Sequence, residues 1–222
     1  GKRMGAGVVR AKQFLELAGE PVIIHTLRRF EQCQEIQEVI VVLPAQDAAG
    51  FLAIAGKYEL SKLARVVAGG ETRAESVWRG LQAVRAATAE IIAVHDGVRP
   101  FVMPEEISRT VQAAVESGAA ILVAPAIDTI KEVEDGKVAR TLERARLHHA
   151  LTPQCFHYSL LRRAYEQVKD FRAEVTDDST LVERIGATVR VVEGHPRNIK
   201  ITRPEDIALA ETILREMENS SQ

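Results

Sequence analysis

The chain has 222 residues, with 29 Lys and Arg against 31 Asp and Glu, so its formal net charge is −2. A near-neutral chain has no sequence-independent pull toward nucleic acid or anionic lipid, and 46% hydrophobic with 27% charged residues is the composition of a folded globular protein. No apolar run reaches the roughly 18 residues of a membrane-spanning helix, no secretory segment follows the first residues, and two cysteines build neither a disulfide scaffold nor a four-cysteine metal site. The sequence therefore reads as a cytoplasmic protein of one domain spanning residues 1–222.

In chain order, the opening Gly1-Lys2-Arg3-Met4-Gly5-Ala6-Gly7, followed by Lys12-Gln13, joins glycines to cations ahead of an apolar helix expected from Pro21 to Phe30. Glycine lets backbone N–H groups approach an anion, and Arg and Lys donate charge-assisted hydrogen bonds to phosphate oxygens, so this loop suits a triphosphate. It lacks the Gly-Lys-Ser/Thr ending of a P-loop, and a basic tail is the plainer reading. Val39 to Leu43, Arg65 to Ala68, Ile91 to Val94 and Ala120 to Ala124 are continuous apolar runs. That pattern predicts strands covered on both faces.

Helical spacing over Glu75 to Val84 and Glu105 to Glu116, the latter after Pro104, alternates with these strands. The alternation predicts an α/β fold with a parallel sheet and helices on both faces, whose ligands lie beyond the carboxyl ends of the strands. Two candidate segments sit there. Gly69-Gly70-Glu71-Thr72-Arg73-Ala74-Glu75-Ser76 offers backbone donors and a hydroxyl, or is an ordinary strand-to-helix turn. His95-Asp96-Gly97-Val98-Arg99-Pro100 places a carboxylate where it can hold a divalent cation on phosphates, or an Asp96–Arg99 ion pair closing the loop.

From Ile127 to Leu147 the rhythm breaks, and Glu134-Asp135-Gly136-Lys137 predicts a hairpin turn in a β-ribbon spanning residues 126–148. A two-stranded ribbon is marginal alone in water, which points to a second subunit as its support. Thr176-Asp177-Asp178-Ser179 reads as a helix N-cap, Thr188 to Val192 as a strand, and Asn198 to Thr202 as a short strand with Lys200 facing away from its isoleucine neighbours. The last helix is expected from Pro204, with Thr202 and Glu205 at capping-box spacing.

Seven blocks in order, Gly-Lys-Arg-Met, Lys-Gln-Phe-Leu, Gly-Gly-Glu-Thr-Arg-Ala-Glu-Ser-Val, Val-His-Asp-Gly-Val-Arg-Pro-Phe, Asp-Thr-Ile-Lys, His-Ala-Leu-Thr-Pro-Gln and Asn-Ile-Lys-Ile-Thr-Arg-Pro-Glu-Asp, resemble the 2-C-methyl-D-erythritol 4-phosphate cytidylyltransferases over nearly the whole chain. The resemblance implies a Rossmann-like nucleotidyltransferase fold with a mostly parallel sheet, a homodimer joined through the ribbon arm, and Mg²⁺-dependent transfer of CMP from CTP. By position it implies catalytic roles for Arg3, Lys12 and Lys200, and nucleotide binding by Gly1, Gly70, Glu71, Ser76 and Asp96, with Asp96 also near the metal. Substrate contacts fall to Arg99, Thr129, Arg144, Thr152 and Thr176, those of Thr129 and Arg144 in the other subunit.

The Arg3 to Lys12 loop is two residues longer than the family spacing, at Val8-Val9, and a first strand ahead of it is missing. A parallel sheet needs a strand just before such a loop, so 10 to 20 further residues, about 5–6 of them in that strand, are expected ahead of Gly1. Ribitol-5-phosphate cytidylyltransferases share most of these motifs. A nucleotide-binding module without catalysis is the alternative of another class.

Overall fold

The computed structural model describes residues 12–171 and 175–219. In chain order it contains β1 (Glu16–Leu17), β2 (Glu20–Pro21), α1 (Val22–Gln32), β3 (Val39–Leu43), α2 (Ala45–Ala55), β4 (Leu63–Ala68), α3 (Arg73–Gln82), β5 (Ile91–Val94) and α4 (Pro104–Ser117). There follow β6 (Ala119–Pro125), β7 (Lys131–Glu134), β8 (Lys137–Thr141), β9 (His148–His157), α5 (Tyr158–Glu166), α6 (Asp178–Arg184), β10 (Arg190–Glu193) and α7 (Asp206–Asn219). Short 3₁₀ turns cover Lys12–Phe14 and Arg144–Arg146.

The main sheet has the order β10-β6-β9-β5. β10 runs parallel to β6, while β9 is antiparallel to both β6 and β5, so three of the four strands share one direction and β9 alone is reversed. The sheet is thus mostly parallel, as expected, but its centre holds an antiparallel strand that the apolar runs do not announce. β6 is buried on both faces: Ala120, Leu122 and Ala124 pack with Ile107, Val111 and Ala114 of α4, while Ala119, Ile121 and Val123 pack with Leu161 and Tyr165 of α5 and Leu181 of α6. This period-2 division between two apolar layers explains the unbroken run Ala119 to Ala124. Leu122 is fully buried, and truncating it to Ala belongs to the class of core changes that cost about 2–5 kcal/mol.

β3 and β4 form a separate parallel pair, with α2 joining them and packing Phe51 and Ala55 against Val41, Leu43 and α1. No ladder joins β3 to β5 among the described residues, and Ile40, Val42, Ile92 and Val94 border the cleft between them. At one end of this cleft stand Lys12, Arg73, His95, Asp96 and Lys200.

The hairpin β7–β8 turns at Asp135 and Gly136, whose φ values of 48° and 74° suit the left-handed positions of a tight two-residue turn. Val133 and Val138 on it, and Ile127 before it, are 57%, 60% and 69% exposed. Two local expectations differ in detail. Asn198 to Thr202 is not a ladder strand, since its one sheet-like bond runs from Ile201 N–H to Val98 C=O. The last helix starts at Asp206, whose carboxylate, rather than that of Glu205, accepts from the N–H groups of Thr202 and Arg203.

Candidate functional site

The loop after β5 centres the site. Asp96 is 12% exposed at its side chain, and both carboxylate oxygens meet cations: Arg73 Nε lies 3.3 Å from Oδ1, while Arg99 Nε at 3.3 Å and Lys200 Nζ at 2.9 Å reach Oδ2. Burial opposes the charge, but Lys200 and Arg73 overcome it and hold the Asp96 carboxyl far below the usual carboxylate range. Lys12 joins the group from the first 3₁₀ turn. Burial and the charge of Lys200 lower its affinity for a proton, and Asp96 partly restores it. Four cations around one carboxylate leave a net positive, partly desolvated pocket, which is the electrostatics of a polyanion site.

Each cation arrives from a different part of the chain. Ile201 is fully buried and Ile199 packs in the same cluster with Phe101 and Val98, so the intervening Lys200 is directed the other way, toward Asp96. The alternation inferred from sequence therefore holds although no strand forms. Arg99 also donates from Nη1 to the Asn198 carbonyl at 2.7 Å, which ties this segment to the β5 loop.

His95 braces the loop. Its Nε2 lies 3.1 Å from the Arg99 carbonyl, which only accepts, so Nε2 carries the proton. Nδ1 must then accept from the Thr152 hydroxyl at 3.0 Å, and the same hydroxyl accepts from Asp96 N–H at 3.2 Å. Burial pushes the imidazole down to about 4, so it is neutral around pH 7 with both nitrogens engaged. Thr152, expected as a substrate contact, is buried and uses its hydroxyl within this chain of bonds. Asn198 donates to the Thr152 carbonyl at 2.8 Å, and its own buried Oδ1 has no partner among the described residues.

The Gly69–Gly70 loop is likewise closed on itself. Gly70 N–H donates to Ser76 Oγ at 3.1 Å, Glu71 N–H donates to Glu75 Oε2 at 2.8 Å, and Ser76 donates to the Thr72 carbonyl at 2.9 Å. A Cβ on Gly70 would meet the Glu75 carboxyl end and push it off the Glu71 N–H. The backbone donors anticipated for a ligand are thus occupied by α3's own side chains, because a helix start satisfies its orphan N–H groups from the nearest oxygens.

Thr129 and Arg144 are exposed on the ribbon, away from Asp96, with Arg144 Nη1 donating to the Ile127 carbonyl at 2.8 Å. Thr176 is exposed before α6, 3.1 Å from the Thr180 hydroxyl, and Asp177 serves as the N-cap by accepting from Thr180 N–H. Gly1 and Arg3 lie outside the described residues.

The described residues do not by themselves make a protein cage for a divalent ion. Asp96, expected as the metal ligand, already has cations on both oxygens, and the described residues contain no cluster of three or more His, Cys, Asp or Glu able to hold a metal. Mg²⁺ is usually held by one or two carboxylates together with substrate phosphates rather than by an all-protein cage, so a single carboxylate such as Asp96 fits it once phosphates are present.

Sequence reasoning passed over Arg73, which is the first residue of α3. A signal was present: a cation is disfavoured at the positive end of a helix dipole, so an arginine there needs anions supplied from elsewhere in the fold. They are Asp96 and the fully buried Asp178, the latter 2.7 Å from Arg73 Nη2.

Comparison with known proteins is consistent in every direction. Residues 1–216 match the family model described as 2-C-methyl-D-erythritol 4-phosphate cytidylyltransferase. Proteins of that name from Geobacillus kaustophilus and Syntrophus aciditrophicus are each 44% identical, over 96% and 98% of this chain and 92% and 93% of theirs. The 4-diphosphocytidyl-2C-methyl-D-erythritol synthase of Anaerococcus prevotii superposes with a TM-score of 0.83 at 35% identity, covering 90% of this chain and 88% of that one. The Thermus thermophilus cytidylyltransferase gives 0.74 at 35% identity, covering 92% and 93%.

Proposed function

The chain belongs to the 2-C-methyl-D-erythritol 4-phosphate cytidylyltransferase family, and from this we propose that it transfers CMP from CTP to 2-C-methyl-D-erythritol 4-phosphate, releasing pyrophosphate, in isoprenoid synthesis. The observation that carries the reading is the convergence of Lys12, Arg73, Arg99 and Lys200 on Asp96, just beyond the carboxyl end of β5. Relatives named for the methylerythritol phosphate, over nearly full length, disfavour the ribitol phosphate alternative.

The chemistry asks for cations and not for a base. A phosphate monoester is already anionic near pH 7; one of its oxygens attacks the α-phosphorus of CTP, the new P–O bond forms as the bond to the β-phosphate oxygen breaks, and pyrophosphate leaves with its electron pair. The barrier lies in bringing two polyanions together in line and in stabilising the equatorial and departing oxygens. Lys12 and Lys200, with Arg3 from the preceding loop, are proposed to do this. His95 cannot compete as a base, since both its nitrogens are engaged. Asp96 is proposed to hold the cations in place for the nucleotide until its phosphates arrive. Gly1, Gly70, Glu71 and Ser76 are proposed to bind the nucleotide, the last three by shaping the loop after β4. Arg99, Thr152 and Thr176 are proposed on the sugar-phosphate side.

Asp96 is proposed to hold Mg²⁺ together with the phosphates of CTP, where the ion would neutralise charge on the triphosphate. The ribbon, with Val133 and Val138 exposed, is proposed to pack against a second copy and carry Thr129 and Arg144 to the neighbouring site. A cytoplasmic location completes the proposal: Cys33 and Cys155 are both unpaired thiols, the state that reducing compartments maintain.

The deciding experiment mixes the protein with CTP, Mg²⁺ and 2-C-methyl-D-erythritol 4-phosphate and follows pyrophosphate. Release that needs the sugar phosphate supports the proposal. No release, or equal release with ribitol 5-phosphate, overturns it.

A further inference from the structure

We infer that Arg73 is a positioning residue that ties the segment entering α6 to the Asp96 loop, so that the sugar-phosphate side of the cleft is held in place by the nucleotide side; the inference rests on the function proposed above. Arg73 bonds to two carboxylates on different elements, Nε to Asp96 Oδ1 at 3.3 Å and Nη2 to Asp178 Oδ2 at 2.7 Å. Asp178 is the first residue of α6 and is fully buried. Its second oxygen accepts from the hydroxyl of buried Tyr165 at 2.5 Å, and its N–H donates to Gln154 Oε1 at 3.1 Å. Gln154 in turn donates to Asp177 Oδ2 at 2.8 Å.

The start of α6 is thereby pinned at three points, to β9 through Gln154, to α3 through Arg73 and to α5 through Tyr165, and Thr176 sits immediately before it. Gln154 is two residues along β9 from Thr152, which holds Asp96 by its backbone N–H. Two routes thus join the Asp96 loop to the Asp177–Asp178 segment: one through β9, whose donors are uncharged, and one through the Arg73 guanidinium. The second depends on the planar fork of arginine, because a lysine ammonium is a point charge and satisfies one of the two carboxylates at a time. The cation also occupies a helix start, where the dipole opposes it. Its place there follows from the two anions it joins and not from the helix.

The test is Arg73→Lys, assayed with CTP and 2-C-methyl-D-erythritol 4-phosphate beside the unmodified protein. KM for the sugar phosphate is expected to rise about tenfold. KM for CTP should stay within twofold, since Asp96 keeps Arg99 and Lys200. Unchanged constants, or equal changes in both, refute the inference, because a general loosening of the fold does not discriminate between substrates. Tyr165→Phe removes one bond to Asp178 and leaves Arg73 intact. It should reproduce the same split at two- to threefold, and it decides the matter if the lysine variant does not fold; the absence of that split then overturns the inference. An inactive unmodified protein means that the proposed function has failed, and the inference fails with it; an active one with no split in the variants rejects the inference alone.

Discussion

Replacing Lys200 by Met separates chemistry from stability. The Lys200 ammonium lies 2.9 Å from Asp96 Oδ2, yet its side chain is 35% exposed, so the pair resembles a surface ion pair and contributes no more than about 1 kcal/mol. Arg73 and Arg99 stay on the same carboxylate at 3.3 Å, so Asp96 is not left as an unpaired buried charge. For a chain of this size a loss of about 1 kcal/mol lowers Tm by roughly 2–4 °C. Turnover should respond very differently: one charge-stabilising donor removed from developing phosphate charge costs about 10²–10³ in kcat, or roughly 2.7–4 kcal/mol of barrier. The assay is steady-state pyrophosphate release beside a thermal melt of the same preparation. Turnover within tenfold of the parent refutes the role given to Lys200. A drop in Tm of more than about 8 °C refutes the view that the remaining cations compensate.

Lys12→Ala should lower turnover by several hundredfold for the same reason, and near-normal turnover removes Lys12 from the machinery. Arg144→Ala should raise KM for the sugar phosphate and leave KM for CTP nearly unchanged; the reverse pattern contradicts the ribbon's proposed role. A Val133→Asp, Val138→Asp double variant should shift the protein to half its mass in sedimentation, and an unchanged mass refutes the ribbon as a dimer contact. The neutral His95 gives a pH signature: with its folded value near 4 against 6.5 for the free side chain, the unfolded chain takes up the proton first. Stability should therefore be fully present above about pH 6.5 and decline toward pH 4, by up to about 3 kcal/mol. Denaturant melts of His95→Gln should show a shallower decline over that window, and profiles that superpose on the parent's disprove the assignment.

Much of the architecture was legible because the governing physics is local. β6 falls on Ala119–Pro125, where an unbroken apolar run has no alternative to burial on both faces. β9 was not legible: it opens on two histidines and carries Thr152, Pro153 and Gln154, polar or strand-averse residues that its central place forces into side-chain bonds with Asp96, Asp177 and Asp178. Asn198 to Thr202 shows the opposite failure, an alternating pattern without a neighbouring edge to pair with. At the site, Asp96 and Lys200 could be named from their settings, a carboxylate after a strand and a lysine between isoleucines. Arg73 could not, since its meaning depends on Asp178, 105 residues away in the chain.

The ribbon has one further consequence, for proteolysis. Lys131, Lys137 and Arg140 are exposed on β7 and β8, so a trypsin-like protease can cut the chain there. The two pieces should nevertheless stay together, because β9, from the second piece, is laddered between β5 and β6 of the first, and β10 adds to the far edge of β6. The nick would then show on a denaturing gel while a sizing column still reports one particle. A second copy packed on the ribbon, as proposed, should slow the cut, so that the rate of nicking falls as protein concentration rises.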